Sequence, residues 1–284
     1  MGDIKTTQFG SQAKGLGRSI SKIAVLHIPH SSRRVPAEER LTILLDDTEL
    51  NNELLRMTDA YTDELFPITP AEAGRVIFPL SRLVCDVERF PSDEHEPMAA
   101  RGMGVTYIRT SMGAVLRAEP EPADRQKRLD QWYWPHHWEL EHLVNDVTEQ
   151  SGICLIVDCH SFPSVALPYE LDQTSLRADI CIGTDAFHTP QAVRDAIISA
   201  AEADGYSVAV DAPFSGALVP LSSYQKDHRI LSVMIEVNRR LYMDEKSGKM
   251  RDDFGKVRAA LGRLVMAAAE AALKEASTQA KPAG

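Results

Sequence analysis

The stretch LIVDCHSFP, residues 155–163, contains the pattern that decides the fold. Its first five residues are apolar except for Asp158, which predicts a buried strand, and His160 and a serine follow directly. The stretch IAVLHIPHSS, residues 23–32, is also an apolar run that ends at a histidine, His30, followed by a serine. Two predicted strands of one chain therefore end in the same polar pair.

Predicted strands and helices alternate along the chain. Strands are predicted at residues 23–28, 76–78, 83–87, 105–108, 153–158, 178–183, 206–210 and 230–237. Helices are predicted at residues 38–66, 122–150 (with a new start at Pro135), 190–204 and 252–275. This alternation predicts an α/β sandwich with a mostly parallel sheet. The ligand site of such a sheet lies beyond the carboxyl ends of its strands, where we expect both histidines. Residues 91–121 show no clear periodicity and predict a functional loop or lid.

Composition limits the function classes. The 284 residues carry a net charge of −10 with no Lys/Arg stripe, so nucleic acid is not an expected partner. No apolar run approaches the ~18 residues of a membrane span, and no secretory signal is recognisable. Four cysteines without a CxxC pair predict reduced thiols in a cytoplasmic protein and no cysteine zinc site. We expect a single catalytic domain at 23–276 between a flexible N-terminal arm (1–22) and a polar tail (277–284).

His30 and His160 are candidate metal ligands. A catalytic zinc ion usually has three protein ligands and a water molecule, and neutral imidazole is one of its preferred ligands. The alternative is a pair of hydrogen-bonded histidines near the edge of the core. Asp158 points to the same face of an extended strand as His160, so it could support a metal-bound histidine, or it could cap a helix or turn.

Glu236 interrupts an apolar strand in the sequence LSVMIEVNRR. A carboxylate in such a strand is costly unless it is paired or functional. Desolvation would raise its pKa, as a general base requires. The alternative is a buried ion pair with Arg239 or another arginine.

Two further stretches contain functional candidates. SRLVCDVER, residues 81–89, contains Arg82, Asp86 and Arg89. Its arginines could bind a substrate carboxylate in bidentate fashion, or the three residues could form a structural charge network. WYWPHHWEL, residues 132–140, is rich in aromatic residues, and we expect its tryptophans to pack on the core.

Taken together, the chain resembles the N-formylglutamate amidohydrolase family from about residue 25 to 245. The matching segments, in order, are VLHIPHSS, MTDAYTDELF, SRLVCDVER, WYWPHHWEL, LIVDCHSFP, ICIGTDAFHTP and VMIEVNRRLYMDE. The resemblance implies a branch of the zinc-carboxypeptidase-like (phosphorylase/hydrolase-like) hydrolases. It therefore implies a three-layer αβα sandwich with a central mixed, mostly parallel sheet, and one Zn²⁺ or another divalent metal ion.

The resemblance also implies a metal-binding set. The HxxE pair of the carboxypeptidase relatives is absent, because Arg33 lies three residues after His30. The family's Thr-Asp segment matches at Asp59, so His30, Asp59 and His160 are the implied ligands, with Asp63 as the alternative to Asp59.

The resemblance further assigns catalytic and substrate-binding residues. The family's strand glutamate matches Glu236, the proposed general base, and its Tyr-x-Pro-x-His histidine matches His137. The implied substrate-binding residues are Arg82, Asp86, Arg89, Ser161 and Asn238. Two departures from the family lie near the substrate pocket: Glu88-Arg89 replaces Asn-Arg, and His30-Ser31-Ser32 replaces His-Ser-Gly.

The expected function is metal-dependent hydrolysis of the amide bond of an N-formyl or N-acyl amino acid, first of all N-formyl-L-glutamate, which would yield formate and glutamate. The alternatives are a deacylase or amidase with a different specificity, or a non-catalytic ligand-binding relative. The expected partner is this small-molecule substrate, with no membrane association, and a homo-oligomer is compatible with the sequence.

Overall fold

A computed structural model describes residues 21–279. The predicted N-terminal arm, except for its last two residues, and the end of the predicted tail (280–284) lie outside the described residues. The described strands are β1 (Ala24–Ile28), β2 (Glu72–Ile77), β3 (Cys154–Phe162), β4 (Ile180–Gly183), β5 (Val208–Val210) and β6 (Ile230–Asn238).

Seven α-helices surround these strands in the described part of the chain. They are α1 (Ala37–Arg40), α2 (Asp47–Met57), α3 (Thr62–Leu65), α4 (Pro122–Arg128), α5 (Trp134–Ser151), α6 (Gln191–Ala203) and α7 (Phe254–Gln279). A π-helical turn at Leu129–Tyr133 joins α4 to α5, and Pro135 lies in the first turn of α5, as predicted. No helix within residues 21–279 combines the length and the apolar character that a membrane crossing needs.

The six strands form one sheet in the order β2-β1-β3-β6-β4-β5. Every neighbouring pair is parallel except β4 with β6, which is antiparallel. The prediction of a central mixed, mostly parallel sheet is confirmed. The carboxyl ends of β1, β3 and β6 therefore lie side by side at one edge of the sheet.

Helices cover both faces of the sheet. On β3, Leu155, Val157 and Cys159 pack in the core with α6 and α7. Cys154 and Ile156 point to the opposite face and pack against α5. Because side chains alternate along a strand, the apolar run serves both faces, and the predicted three-layer αβα sandwich is confirmed.

Three local predictions differ from the structure. The predicted helix at 38–66 is divided into the three helices α1, α2 and α3. The predicted strand at 83–87 forms turns, although Leu83, Val84, Cys85 and Val87 are all fully buried. The predicted strand at 105–108 takes part only in an isolated bridge. Apolar runs indicate burial, and a short buried turn has the same composition as a buried strand.

Helix α2 begins at a capping box that separates it from α1. The Asp46 carboxylate accepts a hydrogen bond from the Glu49 backbone N–H at 2.8 Å, and the Glu49 carboxylate accepts one from the Asp46 N–H at 3.0 Å. This reciprocal pair satisfies backbone donors that would otherwise lack a partner at the start of the helix.

We expect Asp46→Ala to lower the free energy of unfolding by about 1 kcal/mol, because the helix loses its N-cap. Asp47→Ala is the matched control, since Asp47 is exposed and makes only a surface ion pair with Arg40. Urea unfolding of both variants checks the prediction, and equal losses would show that the capping box contributes nothing specific.

Candidate active site and metal centre

Polar side chains occupy the α5 face of the three central strands near their carboxyl ends. His27 on β1 pairs in register with Asp158 on β3, and His160 on β3 pairs with Glu236 on β6. Side chains alternate along a strand, so these four side chains lie on the same face of the sheet as Val25 and Ile156, which pack against α5. The sheet therefore brings together groups that are up to 209 residues apart in the sequence.

This polar face opens into a cavity of about 510 Å³. The predicted site residues that line it are His30, Asp59, Arg82, Arg89, His137, His160, Ser161 and Glu236. The structure thus brings together most of the residues that the sequence analysis selected. Asp86, Asn238 and Asp63 do not line the cavity.

His30 presents a free ring nitrogen. Its Nε2 donates a hydrogen bond to Asp86 Oδ1 at 2.9 Å, which leaves Nδ1 with a lone pair. The Nδ1 atom is buried without a hydrogen-bond partner among the described residues. Its neighbours are Asp59 Oδ2 at 3.6 Å and Glu88 Oε2 at 3.7 Å. A buried lone pair among carboxylate oxygens is suited to a bound cation.

His160 has carboxylates at both of its ring nitrogens. Its Nδ1 lies 3.0 Å from Asp59 Oδ2, and its Nε2 lies 3.1 Å from both Glu88 Oε1 and Asp158 Oδ1. Burial opposes the charged imidazolium, but Glu88 and Asp158 outweigh it and raise the pKa of His160 well above its usual value. A metal ion and a proton compete for the same lone pair, so this environment favours either one.

Three groups converge closely enough to share one ion. His30, Glu88 and His160 each offer a ligand atom within 4.8 Å of the others, and His27, Glu88 and Asp158 form a second such group. Two imidazoles and a carboxylate are a donor set that suits Zn²⁺. Asp86 fixes the tautomer of His30, as carboxylates beside metal-bound histidines do. The residues present therefore fit a zinc ion or a similar divalent ion.

Asp59, the predicted third ligand, lies beside this group. Its Oδ2 is close to both histidines, and its Oδ1 accepts a hydrogen bond from Arg239 at 2.8 Å. Desolvation opposes the charged carboxylate, but the hydrogen bond from His160, the nearby His30 ring and the charge of Arg239 hold the pKa of Asp59 well below its usual range. Its alternative, Asp63, is exposed on α3.

Glu236 is a buried carboxylate that makes no ion pair with any of the described residues. Its Oε2 has no hydrogen-bond partner among the described residues, and burial raises its pKa to about 8. The alternative of an ion pair with Arg239 is not what the structure shows, because Arg239 pairs with Asp59 instead. Glu236 therefore has the environment expected of a general base.

The two candidate arginines differ in their partners. Arg82 donates to Asp86 Oδ2 from Nε at 3.1 Å and from Nη2 at 2.8 Å, and its Nε also lies 3.2 Å from the Tyr107 hydroxyl. Arg89 lies 3.6 Å from Asp86, and its Nε is buried without a hydrogen-bond partner among residues 21–279. Arg82 and Asp86 form a structural charge pair, whereas Arg89 has donor capacity left for a ligand.

The remaining candidates divide between cavity and scaffold. His137 Nε2 donates to the Val87 carbonyl oxygen at 2.7 Å, and burial lowers its pKa to about 4, so the ring is neutral at pH 7. The Ser161 hydroxyl accepts from Arg239 Nε at 3.2 Å. Asn238 is fully buried, and its amide donates to a backbone carbonyl at 3.1 Å, so the structure places it in the scaffold.

The sequence analysis did not select four residues that complete the site: Glu88, His27, His136 and Arg239. Glu88 was noted only as a departure from the family pattern, and Arg239 only as a partner for Glu236. His27 Nδ1 lies 2.8 Å from Asp158 Oδ1, and its Nε2 lies 2.8 Å from His136 Nε2. A histidine inside the apolar run VLHI was the available signal for His27.

Comparisons with known proteins identify the family of this chain. The sequence profile of the N-formylglutamate amidohydrolase family matches residues 23–243. An N-formylglutamate deformylase of Pseudomonas putida is 26% identical over 227 residues, which cover 78% of this chain and 82% of the relative. The Pseudomonas aeruginosa N-formylglutamate deformylase is 26% identical over 172 residues, which cover 59% of this chain and 63% of the relative.

Solved structures show the same fold. The crystal structure of an N-formylglutamate amidohydrolase from Ralstonia eutropha superposes with a TM-score of 0.75 at 21% identity, covering 91% of this chain and 96% of that one. A gene product of Agrobacterium tumefaciens gives a TM-score of 0.62 at 20% identity, covering 91% and 94% of the two chains. The family profile spans most of the chain, so this protein belongs to the N-formylglutamate amidohydrolase family.

Proposed function

We propose that the protein hydrolyses the amide bond of an N-acyl amino acid in a metal-dependent reaction, with N-formyl-L-glutamate as the first substrate to test. The observation that carries this proposal is that the Glu236 carboxylate and the Nδ1 of His30 lie in one cavity, and that neither has a hydrogen-bond partner within residues 21–279. The names of the two Pseudomonas relatives support the formyl group and glutamate. A deacylase with another specificity is the second candidate, because Glu88 stands at a position where the family pattern has asparagine.

The metal ion would be held by His30, His160 and one carboxylate, either Asp59 or Glu88. When bound there, Zn²⁺ supplies Lewis acidity toward the acyl carbonyl and lowers the pKa of a water molecule to roughly 7. Asp86 keeps the proton of His30 on Nε2, so that Nδ1 stays available.

Glu236 would move the protons of the reaction. Its carboxylate accepts a proton from the attacking water and delivers it to the leaving nitrogen, so that the products are a carboxylic acid and an amine. A pKa of about 8 makes both the charged and the neutral form accessible near neutral pH, which both steps need. His137, held neutral with its Nε2 proton on the Val87 carbonyl, would orient the substrate.

Arg89 would bind the carboxylate of the amino-acid part. Its guanidinium lines the cavity and is weakly engaged by Asp86 at 3.6 Å. A charge-assisted contact fixes the substrate so that its amide bond lies near Glu236. Arg82, whose Nε and Nη2 donate to Asp86, would maintain the charge balance beneath the site.

Three predictions test this proposal, and the first concerns zinc content. We expect His30→Ala and His160→Ala each to lose ~1 equivalent of zinc and nearly all activity, because each removes one of three protein ligands. Of Asp59→Asn and Glu88→Gln, we expect one to lose the ion and thereby to identify the carboxylate ligand. Elemental analysis of dialysed protein measures the zinc content.

Asp63→Asn is the matched control for the carboxylate variants, since Asp63 is exposed and should keep full occupancy. Full zinc occupancy in both histidine variants would remove these residues from the metal site.

The second prediction concerns Glu236→Gln. The variant keeps the shape of the side chain but cannot take a proton, so we expect a folded, zinc-loaded protein with at least ~10²-fold lower turnover. Thermal melting, zinc analysis and product release on the same preparation test this together. Wild-type turnover in a folded, zinc-loaded variant would contradict the proposed mechanism.

The third prediction separates the two arginines. We expect Arg89→Met to raise KM for N-formyl-L-glutamate by about 10-fold or more, and to raise KM less for the α-amide of this substrate. Arg82→Met should instead destabilise the fold by about 3–5 kcal/mol, because it leaves the buried Asp86 without its main partner. Equal KM effects on the acid and the amide would mean that Arg89 is structural.

A further inference from the structure

One wall of the cavity contains none of the residues that have a role in the proposed reaction. Residues 213–221, between β5 and β6, supply most of it, and none of them is charged. We call this surface the apolar wall and define it by Phe214, Ala217, Leu218, Val219, Leu221 and Met234, all of which line the cavity.

The apolar wall begins at Met234, the neighbour of Glu236 on the same face of β6. Met234 precedes Glu236 by two residues on β6, so both side chains point to the same face, about 7 Å apart. Val233 and Ile235 point the other way, into the core with α6 and α7. A substrate whose amide bond lies at Glu236 therefore has an apolar surface directly beside it.

The wall is held firmly on the sheet. Gly183 on β4 pairs in register with Met234, and a Cβ atom at Gly183 would lie only 2.3 Å from the Gly216 carbonyl oxygen. The segment at Gly216 thus lies directly against the strand, where only glycine fits. The Phe214 ring lies 6.1 Å from the Phe162 ring. The wall is therefore packed against β4 and the Phe162 ring.

Apolar side chains are also exposed at the mouth of the cavity. Leu221 is 48% exposed and Leu171 is 72% exposed, and both line the cavity. Two carboxylates also line the cavity here, and both are engaged: Asp185 accepts hydrogen bonds from the backbone N–H groups of Phe187 and His188, and Glu170 forms an ion pair with Arg177. Clustered exposed apolar surface in a concave site is typical of a ligand-binding surface.

We propose that the apolar wall binds a hydrocarbon or aromatic group of the substrate. The preferred substrate is then an N-acyl amino acid that carries such a group, on its side chain or in its acyl chain, in addition to the carboxylate bound by Arg89. This inference rests on the proposed function, because it places the amide bond at Glu236. A cavity of about 510 Å³ lies in the range that accommodates ligands of drug-like size.

The experiment compares four substrates: N-formyl-L-glutamate, N-formyl-L-leucine, N-formyl-L-phenylalanine and N-hexanoyl-L-glutamate. Turnover is measured with the zinc-loaded protein, and affinity is measured separately by calorimetry with zinc-loaded Glu236→Gln protein. We expect at least one apolar substrate to exceed N-formyl-L-glutamate by about 10-fold in kcat/KM and in affinity. A preference for N-formyl-L-leucine would mean that the wall binds the amino-acid side chain. A preference for N-hexanoyl-L-glutamate would mean that it binds the acyl chain.

Two wall variants locate the effect. Leu221→Ser removes an apolar contact, and Ala217→Trp fills the space in front of the wall. Each should reduce the preference for the best apolar substrate over N-formyl-L-glutamate by about 3- to 10-fold. Leu176→Ser is the matched control, because Leu176 is 86% exposed but does not line the cavity, and it should leave this preference unchanged.

The outcomes separate the two proposals. Binding of the apolar compounds without hydrolysis of any of the four would refute the proposed function and retain the apolar subsite. Hydrolysis with N-formyl-L-glutamate as the best substrate, or an unchanged preference in both wall variants, would overturn the apolar subsite and retain the proposed function.

Discussion

The register of the three central strands is the constraint on which the site depends. In this sheet, the pairing of β1 with β3 sets His27 beside Asp158, and the pairing of β3 with β6 sets His160 beside Glu236. A shift of one residue in either pair would turn the polar side chains into the core against α6 and α7. The apolar residues that alternate with them along each strand are buried against α6 and α7. This burial therefore fixes the positions of the polar groups.

The buried carboxylates near these strands differ in the kind of cation that pairs with them. Asp59 pairs with Arg239 and Asp86 pairs with Arg82, so each of these carboxylates has a permanent cation. Glu88 and Asp158 make ion pairs only with histidines in the described part of the chain. The charge of these two carboxylates is therefore balanced only by protonated histidines, or by a divalent cation that takes the place of those protons.

The cavity combines this charged region with the apolar wall. The wall comes mainly from residues 213–221, which lie between the segments ICIGTDAFHTP and VMIEVNRRLYMDE that carry the family resemblance. Strands β3 and β6 thus supply His160 and Glu236, while the segment at 213–221 shapes the space for the rest of the substrate. Separation of these tasks is common in α/β folds, because a connecting segment can differ in length and composition without disturbing the sheet.

The sequence by itself determined the α/β class and singled out His30, His160 and Glu236, because a polar residue in or at the end of an apolar run is visible in one dimension. It did not determine that residues 83–87 form buried turns, because burial and strand pairing favour the same residue types. Only the tertiary structure decided that Arg239 pairs with Asp59 and that Glu88 joins the two histidines. These contacts join distant segments, and the strand register and chain path that create them result from the packing of the whole sheet.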